Sequence, residues 1–326
     1  MYKIKQSPED FIVKEIADMK LNPLGNYAIC ILKKTNYNTI RAIEQIAKYL
    51  RINPKDVGFA GSKDKQAITE QYISIKNAKK QDIEKIKLKD IELQFVGYSD
   101  APLSLGDLNE NEFIITVRNL SNKEINSLEN KTKKNKKITM PNYFGEQRFS
   151  ETNVEIGKEL VKSSFEKALI LILGTNPDNK EQMKEFLADN PKNFVGALRL
   201  IHKKLLILYV HAYQSDLWNK TLKEYAKKNH KNIKIPTIGF GTEIEDKNLR
   251  KIIEKIMKDE NLTFRSFINR SIPELTSEGG SRDAFIEIKN LKLIEKGKDW
   301  IKITFKLNKG SYATVAIAFL FNQLVS

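Results

Sequence analysis

Apolar and polar side chains alternate in two segments that lie far apart along the chain. One segment, residues 113–118, places Phe113, Ile115 and Val117 at every second position, and residues 301–307 repeat the pattern. Successive side chains of a β-strand point to opposite faces of the sheet, so a period of two predicts a strand with one buried face. We therefore expect both ends of the chain to contribute strands to a sheet.

A helical period occurs early in the chain, in residues 39–50. One face of this segment carries Ile40, Ile43, Ile46, Ala47 and Leu50. Apolar residues three and four apart lie on one side of an α-helix, so the segment predicts a core-packing helix with Thr39 as its N-cap. Residues 57–60 and 71–75 have strand propensity, and the apolar run around Cys30 predicts a further strand.

The middle of the chain carries the helical period through most of its length. Apolar residues three and four apart predict helices over residues 154–173, 180–187, 205–228 and 248–258. Because strand-like ends flank this helical middle, we predict that it forms an inserted, largely helical domain. The expected borders are 1–150 for the first part of the sheet domain, 151–299 for the insertion and 300–326 for the return.

Composition adds an expectation about binding partners. The 326 residues include 56 Lys and Arg against 41 Asp and Glu, a formal net charge of +15. A surplus of this size favours a polyanionic partner, although a generally lysine-rich proteome explains it as well. The run of residues 131–137 is open to two interpretations, a solvated helix end or a phosphate contact.

Several classes of site lack the residues they need. One cysteine and three scattered histidines give no ligand spacing of a zinc site, so we expect no metal. Gly58 and Gly61 are not followed by the Gly-Lys-Ser/Thr triplet of a phosphate loop, and residues 239–241 form a lone Gly-x-Gly, so we expect no nucleotide cofactor. Without an apolar signal segment or a run of about 18 apolar residues, we expect a soluble, cytoplasmic protein and no membrane partner.

Two segments contain residues that suit chemistry on RNA. Asp64 lies between Lys63 and Lys65 in a polar break between two predicted strands, where an acid is either a turn residue or a catalytic carboxylate. Residues 141–149 combine three aromatic rings with an amide and a guanidinium. An RNA site needs a ring to stack on an extruded base, an amide for the base edge and a cation for phosphate, although such rings also complete a core.

Both segments resemble the signatures of one enzyme family. Residues 60–71, AGSKDKQAITEQ, resemble the alanine-glycine-x-lysine-aspartate signature of the TruD family of tRNA pseudouridine synthases, and residues 142–149, NYFGEQRF, look like that family's second signature. Further similarity lies in residues 7–15, 211–215 and 310–314. The resemblance covers nearly the whole chain and departs at Ser150, where the family commonly has glycine, and in the generic helices of the middle segment.

The resemblance implies a role for each matching residue. Asp64 falls on the catalytic aspartate, Phe144 on an aromatic residue that stacks on the target base, and Asn142 on a residue that orients the site. Lys5, three residues before Pro8, falls on a basic residue near the catalytic acid. Weaker, RNA-contacting roles are expected for Lys63, Lys65, Gln147 and Arg148.

The resemblance also implies a fold and a reaction. The expected fold is α/β, of the α+β kind with a mixed sheet: a pseudouridine synthase catalytic domain interrupted by a family-specific insertion. The expected substrate is tRNA, with uridine 13 as the target. Isomerising uridine to pseudouridine involves no net redox change, which agrees with the expected absence of a cofactor. Two other classes stay open: a non-catalytic RNA-binding protein, and a glycosylase that releases the base.

Overall fold

The computed structural model describes residues 2–104, 107–133, 137–149 and 152–323. Ser150, where the sequence departs from the second signature, and residues 134–136 of the lysine run lie outside the described residues. The strands are β1 (Phe11–Ile16), β2 (Tyr27–Thr35), β3 (Val57–Phe59), β4 (Ile68–Lys76), β5 (Ile91–Ser99), β6 (Glu110–Arg118), β7 (Ile138–Pro141), β8 (Lys234–Thr237), β9 (Gly280–Asp283), β10 (Phe285–Lys296) and β11 (Trp300–Asn308).

The helices are concentrated in the middle of the chain, as the sequence predicts. They are α1 (Thr39–Leu50), α2 (Lys80–Glu84), α3 (Asn122–Lys133), α4 (Asn153–Val161), α5 (Phe165–Gly174), α6 (Lys180–Asp189), α7 (Phe194–Leu198), α8 (Lys203–Ala226), α9 (Lys247–Asp259) and α10 (Ala313–Leu320).

The larger sheet is mixed, which confirms the predicted fold class. Its strand order is β5-β2-β4-β1-β6-β11-β10-β7, with β3 paired to β4. β1 runs parallel to β4, whereas β6 pairs antiparallel with both β1 and β11. The two alternating segments of the sequence are thus neighbours: β6 and β11 pair from Glu110 opposite Asn308 to Arg118 opposite Trp300. A separate two-stranded sheet consists of β8 and β9.

Helix α1 covers one face of this sheet next to β2 and β4. Ala42, Ile43 and Ile46 are buried in one apolar cluster with residues of those strands, Cys30 among them. Burying an isoleucine side chain contributes about 1.5–3 kcal/mol, so this face is what holds α1 in place. Two details of the prediction were wrong, and both concern the first turn of α1.

The first correction concerns the cap of α1. Asn38 is the N-cap, because its side chain accepts hydrogen bonds from the backbone of Ile40 and Arg41, while Thr39 is the first helical residue and is buried. The second correction is that Ile40 is 54% exposed. The first correction means that α1 begins one residue earlier than the apolar pattern suggests.

The predicted helix over residues 154–173 is two helices. α4 ends at Val161 and α5 begins at Phe165, and between them Ser163 has a φ of 57°. A non-glycine residue in the left-handed region cannot continue a right-handed helix, so the chain turns at this point. Apolar periodicity runs on through the break because both helices bury a face in the same cluster.

The chain divides into two compact units. The first consists of Met1–Thr139 with Glu287–Gln323 and contains most of the large sheet, and the second consists of Met140–Ile286 and is mainly helical. The units divide before the expected borders at 150 and 299. At the second border, the reason is that most of β10 belongs to the first unit with the large sheet. The borders drawn from the sequence stay a prediction about domains.

Candidate active site

Asp64 lies in the loop between β3 and β4, in the first unit. Its Oδ2 accepts a hydrogen bond at 2.6 Å from Lys5 Nζ, although the two residues are 59 positions apart. The Asp64 side chain is 33% exposed and that of Lys5 is 20% exposed, so the pair is open to solvent on one side. Lys5 Nζ also lies 4.2 Å from the centre of the Phe11 ring. The result is a partly exposed carboxylate with a fixed cation beside it.

The backbone of Lys5 adopts an uncommon conformation. Its φ is 58°, in the left-handed region that residues other than glycine enter at an energetic cost. Arg118 holds the segment on one side, because Lys3 exchanges two backbone hydrogen bonds with it, at 2.9 and 2.8 Å. With its backbone in this conformation, Lys5 bonds Asp64 through its ammonium group.

Polar residues replace apolar ones on the buried face of three neighbouring strands, close to this loop. β1 buries Phe11, Val13 and then Glu15; β2 buries Ala28, Cys30, Leu32 and then Lys34; β4 buries Thr69 and Gln71 before Ile73 and Ile75. Strand register brings these ends together, since Thr69 lies opposite both Val13 and Lys34. Each strand thus ends its apolar row in a buried polar group under the Asp64 loop.

Gln71 of β4 and Thr39 of α1 hold the loop in place. Gln71 Nε2 donates to the carbonyl of Gly61 at 3.0 Å, and the Thr39 hydroxyl donates to Gln71 Oε1 at 3.0 Å. The same hydroxyl accepts from the backbone N–H of Lys63 at 3.0 Å. A hydroxyl and an amide that are each used as donor and acceptor leave the loop few alternative positions.

Lys63 contributes a buried ion pair. Its ammonium bonds Glu15 Oε1, while Glu15 Oε2 accepts from the backbone N–H of Tyr72 at 2.8 Å. The Glu15 side chain is almost fully buried and that of Lys63 nearly so. Lys63 was expected to contact RNA, but in this structure its charge is directed into the protein. Lys65, which was also expected to contact RNA, is exposed.

Lys34 extends into the same region from β2. Its Nζ donates to the main-chain carbonyl of Asp64 at 3.0 Å, and the residue is only 1% exposed. Burial lowers the pKa of Lys34 to about 8, an effect that the negative charge of Asp64 opposes and the positive charge of Lys63 strengthens.

A second cluster lies in the other unit and contains the aromatic segment. Asn142 is buried, and its side-chain amide donates to the carbonyl of Asp283 at 3.0 Å. Arg282 bonds Asn142 twice, from Nε to the carbonyl at 2.9 Å and from a terminal nitrogen to Oδ1 at 2.6 Å. The Asn142 side chain is therefore fixed in one orientation.

The ring of Phe144 is fixed by the same arginine. Arg282 Cζ lies 4.3 Å from the ring centre. Trp218 packs edge-on against the ring, with the two ring centres 5.5 Å apart and an interplanar angle of 87°. Asn219 exchanges two hydrogen bonds with the Phe144 backbone, at 2.9 and 3.0 Å. The ring is only partly buried, so the packing sets its plane without covering it completely.

The remaining residues of the second signature differ in environment. Arg148 Nε donates to the Ser215 hydroxyl at 3.3 Å, and Ser215 in turn donates to the carbonyl of His211, so the motif at residues 211–215 supports Arg148. Gln147 is exposed, as an RNA contact requires. The roles of Gln147 and Arg148 stay predictions.

Sequence reasoning missed Arg282, Lys34 and Gln71 as parts of these clusters. For Lys34 and Gln71 a signal exists, because both occupy inward positions of an otherwise apolar alternation, and an inward charge on a strand needs a reason. No pattern marks Arg282, which is recognised only by its contacts with Asn142 and Phe144.

Neither a cluster of metal ligands nor a membrane-spanning helix occurs among the described residues. In residues 2–104, 107–133, 137–149 and 152–323, no three carboxylate, imidazole or thiol groups are grouped as metal ligands. Within the same ranges no helix is long and apolar enough to span a bilayer. The expected absence of a metal and of a cofactor stays a prediction.

The chain is similar to known proteins along almost its whole length. A family model described as tRNA pseudouridine synthase D (TruD) matches residues 2–186, 179–234 and 221–318. The tRNA pseudouridine synthase D of Aquifex aeolicus is 30% identical over 98% of each chain. A probable tRNA pseudouridine synthase D of Nanoarchaeum equitans is 32% identical, again over 98% of each chain.

A solved structure is also similar. The crystal structure of the putative tRNA pseudouridine synthase D (TruD) from Methanosarcina mazei matches with a TM-score of 0.73 and 27% identity. The match covers 98% of this chain and 93% of that one, so both units are included.

Proposed function

Because the chain belongs to the TruD family of tRNA pseudouridine synthases, we propose that it isomerises uridine 13 of tRNA to pseudouridine with Asp64 as the catalytic carboxylate. The observation that carries the proposal is the 2.6 Å contact between Asp64 Oδ2 and Lys5 Nζ. The loop that holds Asp64 is itself held in place by hydrogen bonds with Thr39 and Gln71. The unit that holds Asp64 is proposed as the catalytic domain and the helical unit as the family-specific insertion.

The reaction breaks the bond between uracil N1 and ribose C1′ and joins C1′ to C5 after the uracil has turned. The proton on C5 is lost and N1 gains one, so atoms and electrons balance without a cofactor. An ionised carboxylate serves this chemistry either as a nucleophile at C1′ or as a base during cleavage. Asp64 is suited to both, because it is held beside a cation and part of its side chain is exposed.

The substrate must leave its stack before Asp64 reaches it. Extruding a base costs a few kcal/mol, and stacking on an aromatic ring returns about 1–3 kcal/mol. Phe144, with its plane set by Arg282 and Trp218, is proposed as that ring, and Asn142 is proposed to orient the same part of the site. The net charge of +15 supplies affinity for the phosphates.

The proposal is tested with purified protein and an unmodified tRNA transcript. We expect pseudouridine to accumulate without free uracil in a chemical assay that detects both. Release of free uracil would instead identify a glycosylase, and tight binding without either product would identify a non-catalytic RNA-binding protein.

Replacing Lys5 by methionine is expected to lower kcat while tRNA affinity changes little. A hydrogen bond to a charged group contributes about 1.5–3 kcal/mol, which corresponds to about 10- to 150-fold in rate if it acts in the transition state. Single-turnover rates and filter binding measure the two effects. Lys14→Met is the matched control, since Lys14 pairs with Glu70 on the same sheet. Equal effects of the two substitutions would contradict a catalytic use of Lys5.

Replacing Phe144 by alanine is expected to lower turnover by about 5- to 150-fold, the equivalent of 1–3 kcal/mol of stacking, with a smaller loss of binding. Phe144→Leu separates the two explanations, because leucine keeps apolar packing against Trp218 but cannot stack on a base. Both variants should lose turnover to a similar extent. Near-normal turnover of Phe144→Leu would mean that the ring is structural.

A further inference from the structure

Lys34 differs from Lys5 and Lys63 in having no acid of its own. Lys5 pairs with Asp64 and Lys63 pairs with Glu15. In the part of the chain that the structure describes, no carboxylate lies within salt-bridge distance of Lys34, and its one hydrogen bond goes to the Asp64 main-chain carbonyl at 3.0 Å. Lys34 is nevertheless 1% exposed. A buried ammonium with one neutral acceptor is expensive to keep, so its position requires an explanation.

The charged groups around Lys34 leave a net positive charge near the Asp64 carboxylate. The charged groups that face it are Asp64 and Lys63 from the loop; Lys5 and Glu15 act through those two partners. Three ammonium groups against two carboxylates leave one unit of positive charge in this cluster. From β4, the residue opposite Lys34 is Thr69, which carries no charge.

We propose that Lys34 is a positioning residue for Asp64, which holds the main chain of that residue and places a buried positive charge behind its carboxylate. The inference rests on the proposed function, because a carboxylate that does no chemistry needs no such support. Lys34 does not reach substrate itself, since its ammonium is enclosed by the loop and the strand ends.

The proposal links activity to alkaline pH. With the pKa of Lys34 lowered to about 8, mainly by burial, the ammonium is charged at neutral pH and loses its proton as the pH rises above about 8. Activity should then fall over that range because the positive charge behind Asp64 is lost. Folding stability changes in the opposite direction: a lysine whose pKa is lowered on folding costs stability at neutral pH, and the cost fades as the pH rises toward the unfolded value.

The test compares Lys34→Met with Lys33→Met in the full-length chain. Lys33 is the adjacent residue, points to the other face of β2 and pairs with Glu92 at the surface. For Lys34→Met we expect kcat to fall by about 10- to 100-fold with an unchanged Kd for tRNA. The variant should also lose the fall in kcat above about pH 8, and its Tm at pH 7 should equal or exceed that of the wild type. Lys33→Met should keep the wild-type rate and pH profile.

The outcomes separate this inference from the proposed function. If neither the wild type nor Lys33→Met forms pseudouridine, the proposed function fails. If both do and Lys34→Met has the same kcat and the same fall above about pH 8, Lys34 does not position Asp64. A Tm of Lys34→Met clearly below that of the wild type, with tRNA binding lost in parallel, would assign Lys34 a structural role and overturn the inference.

Discussion

Replacing Asp64 by asparagine is expected to abolish pseudouridine formation while tRNA binding stays nearly unchanged. The amide keeps the shape of the side chain and an oxygen that accepts the hydrogen bond from Lys5, but it has no charge and is neither a base nor a nucleophile. Loss of such a group costs on the order of 10³–10⁴-fold or more in rate. Single-turnover formation of pseudouridine measures the loss, and filter binding measures the Kd.

The matched control for this substitution is Asp56→Asn. Asp56 lies just before β3, outside the loop that holds Asp64, whereas the carboxylate that pairs with Lys5 is that of Asp64. Its replacement should leave both turnover and binding at wild-type values. Appreciable turnover by Asp64→Asn, or an equal loss in Asp56→Asn, would show that Asp64 is not the catalytic carboxylate.

Replacing Glu15 by glutamine is expected to produce the largest loss of stability, about 3–5 kcal/mol in the free energy of unfolding. Glutamine still accepts the hydrogen bond from the backbone of Tyr72, but the buried ammonium of Lys63 loses its counter-charge. An uncompensated buried charge accounts for most of the cost. Urea unfolding at pH 7 measures it, and because Lys63 N–H is bound to Thr39, the Asp64 loop should loosen in parallel.

The control for this prediction is an ion pair at the surface. Glu92→Gln breaks the exposed pair with Lys33 and should cost no more than about 1 kcal/mol. Adding Lys63→Met to Glu15→Gln should recover part of the stability, since no unpaired charge remains. If Glu15→Gln costs as little as Glu92→Gln, the buried pair does not hold the loop.

Much of the fold follows from periodicity alone. Alternation in residues 113–118 and 301–307 predicts two strands, and these are adjacent in the sheet, as β6 and β11. Periodicity does not locate breaks and caps, because these depend on single residues. Ser163 turns the chain between α4 and α5 within a continuous apolar pattern, and Asn38 caps α1 in place of the predicted Thr39.

The residues of the candidate site could be predicted from the sequence less completely than the fold. Asp64 alone has the properties of a turn residue, and the sequence contains no pattern that pairs it with Lys5, 59 positions away. The resemblance to the TruD family, which the comparisons confirm, is what singles out both residues. Lys34 and Glu15 are partly predictable from residue properties, because each interrupts the buried apolar row of its strand. Their partners are visible only in the folded chain.

The central claim, that this protein forms pseudouridine in tRNA with Asp64, is tested most directly by mapping pseudouridine at single-nucleotide resolution. The substrate is tRNA from cells that lack the protein, incubated with the purified wild type or with Asp64→Asn. The account predicts one new pseudouridine at position 13 with the wild type and none with the variant. Unchanged uridine 13 after treatment with folded wild-type protein, or equal modification by Asp64→Asn, would contradict it.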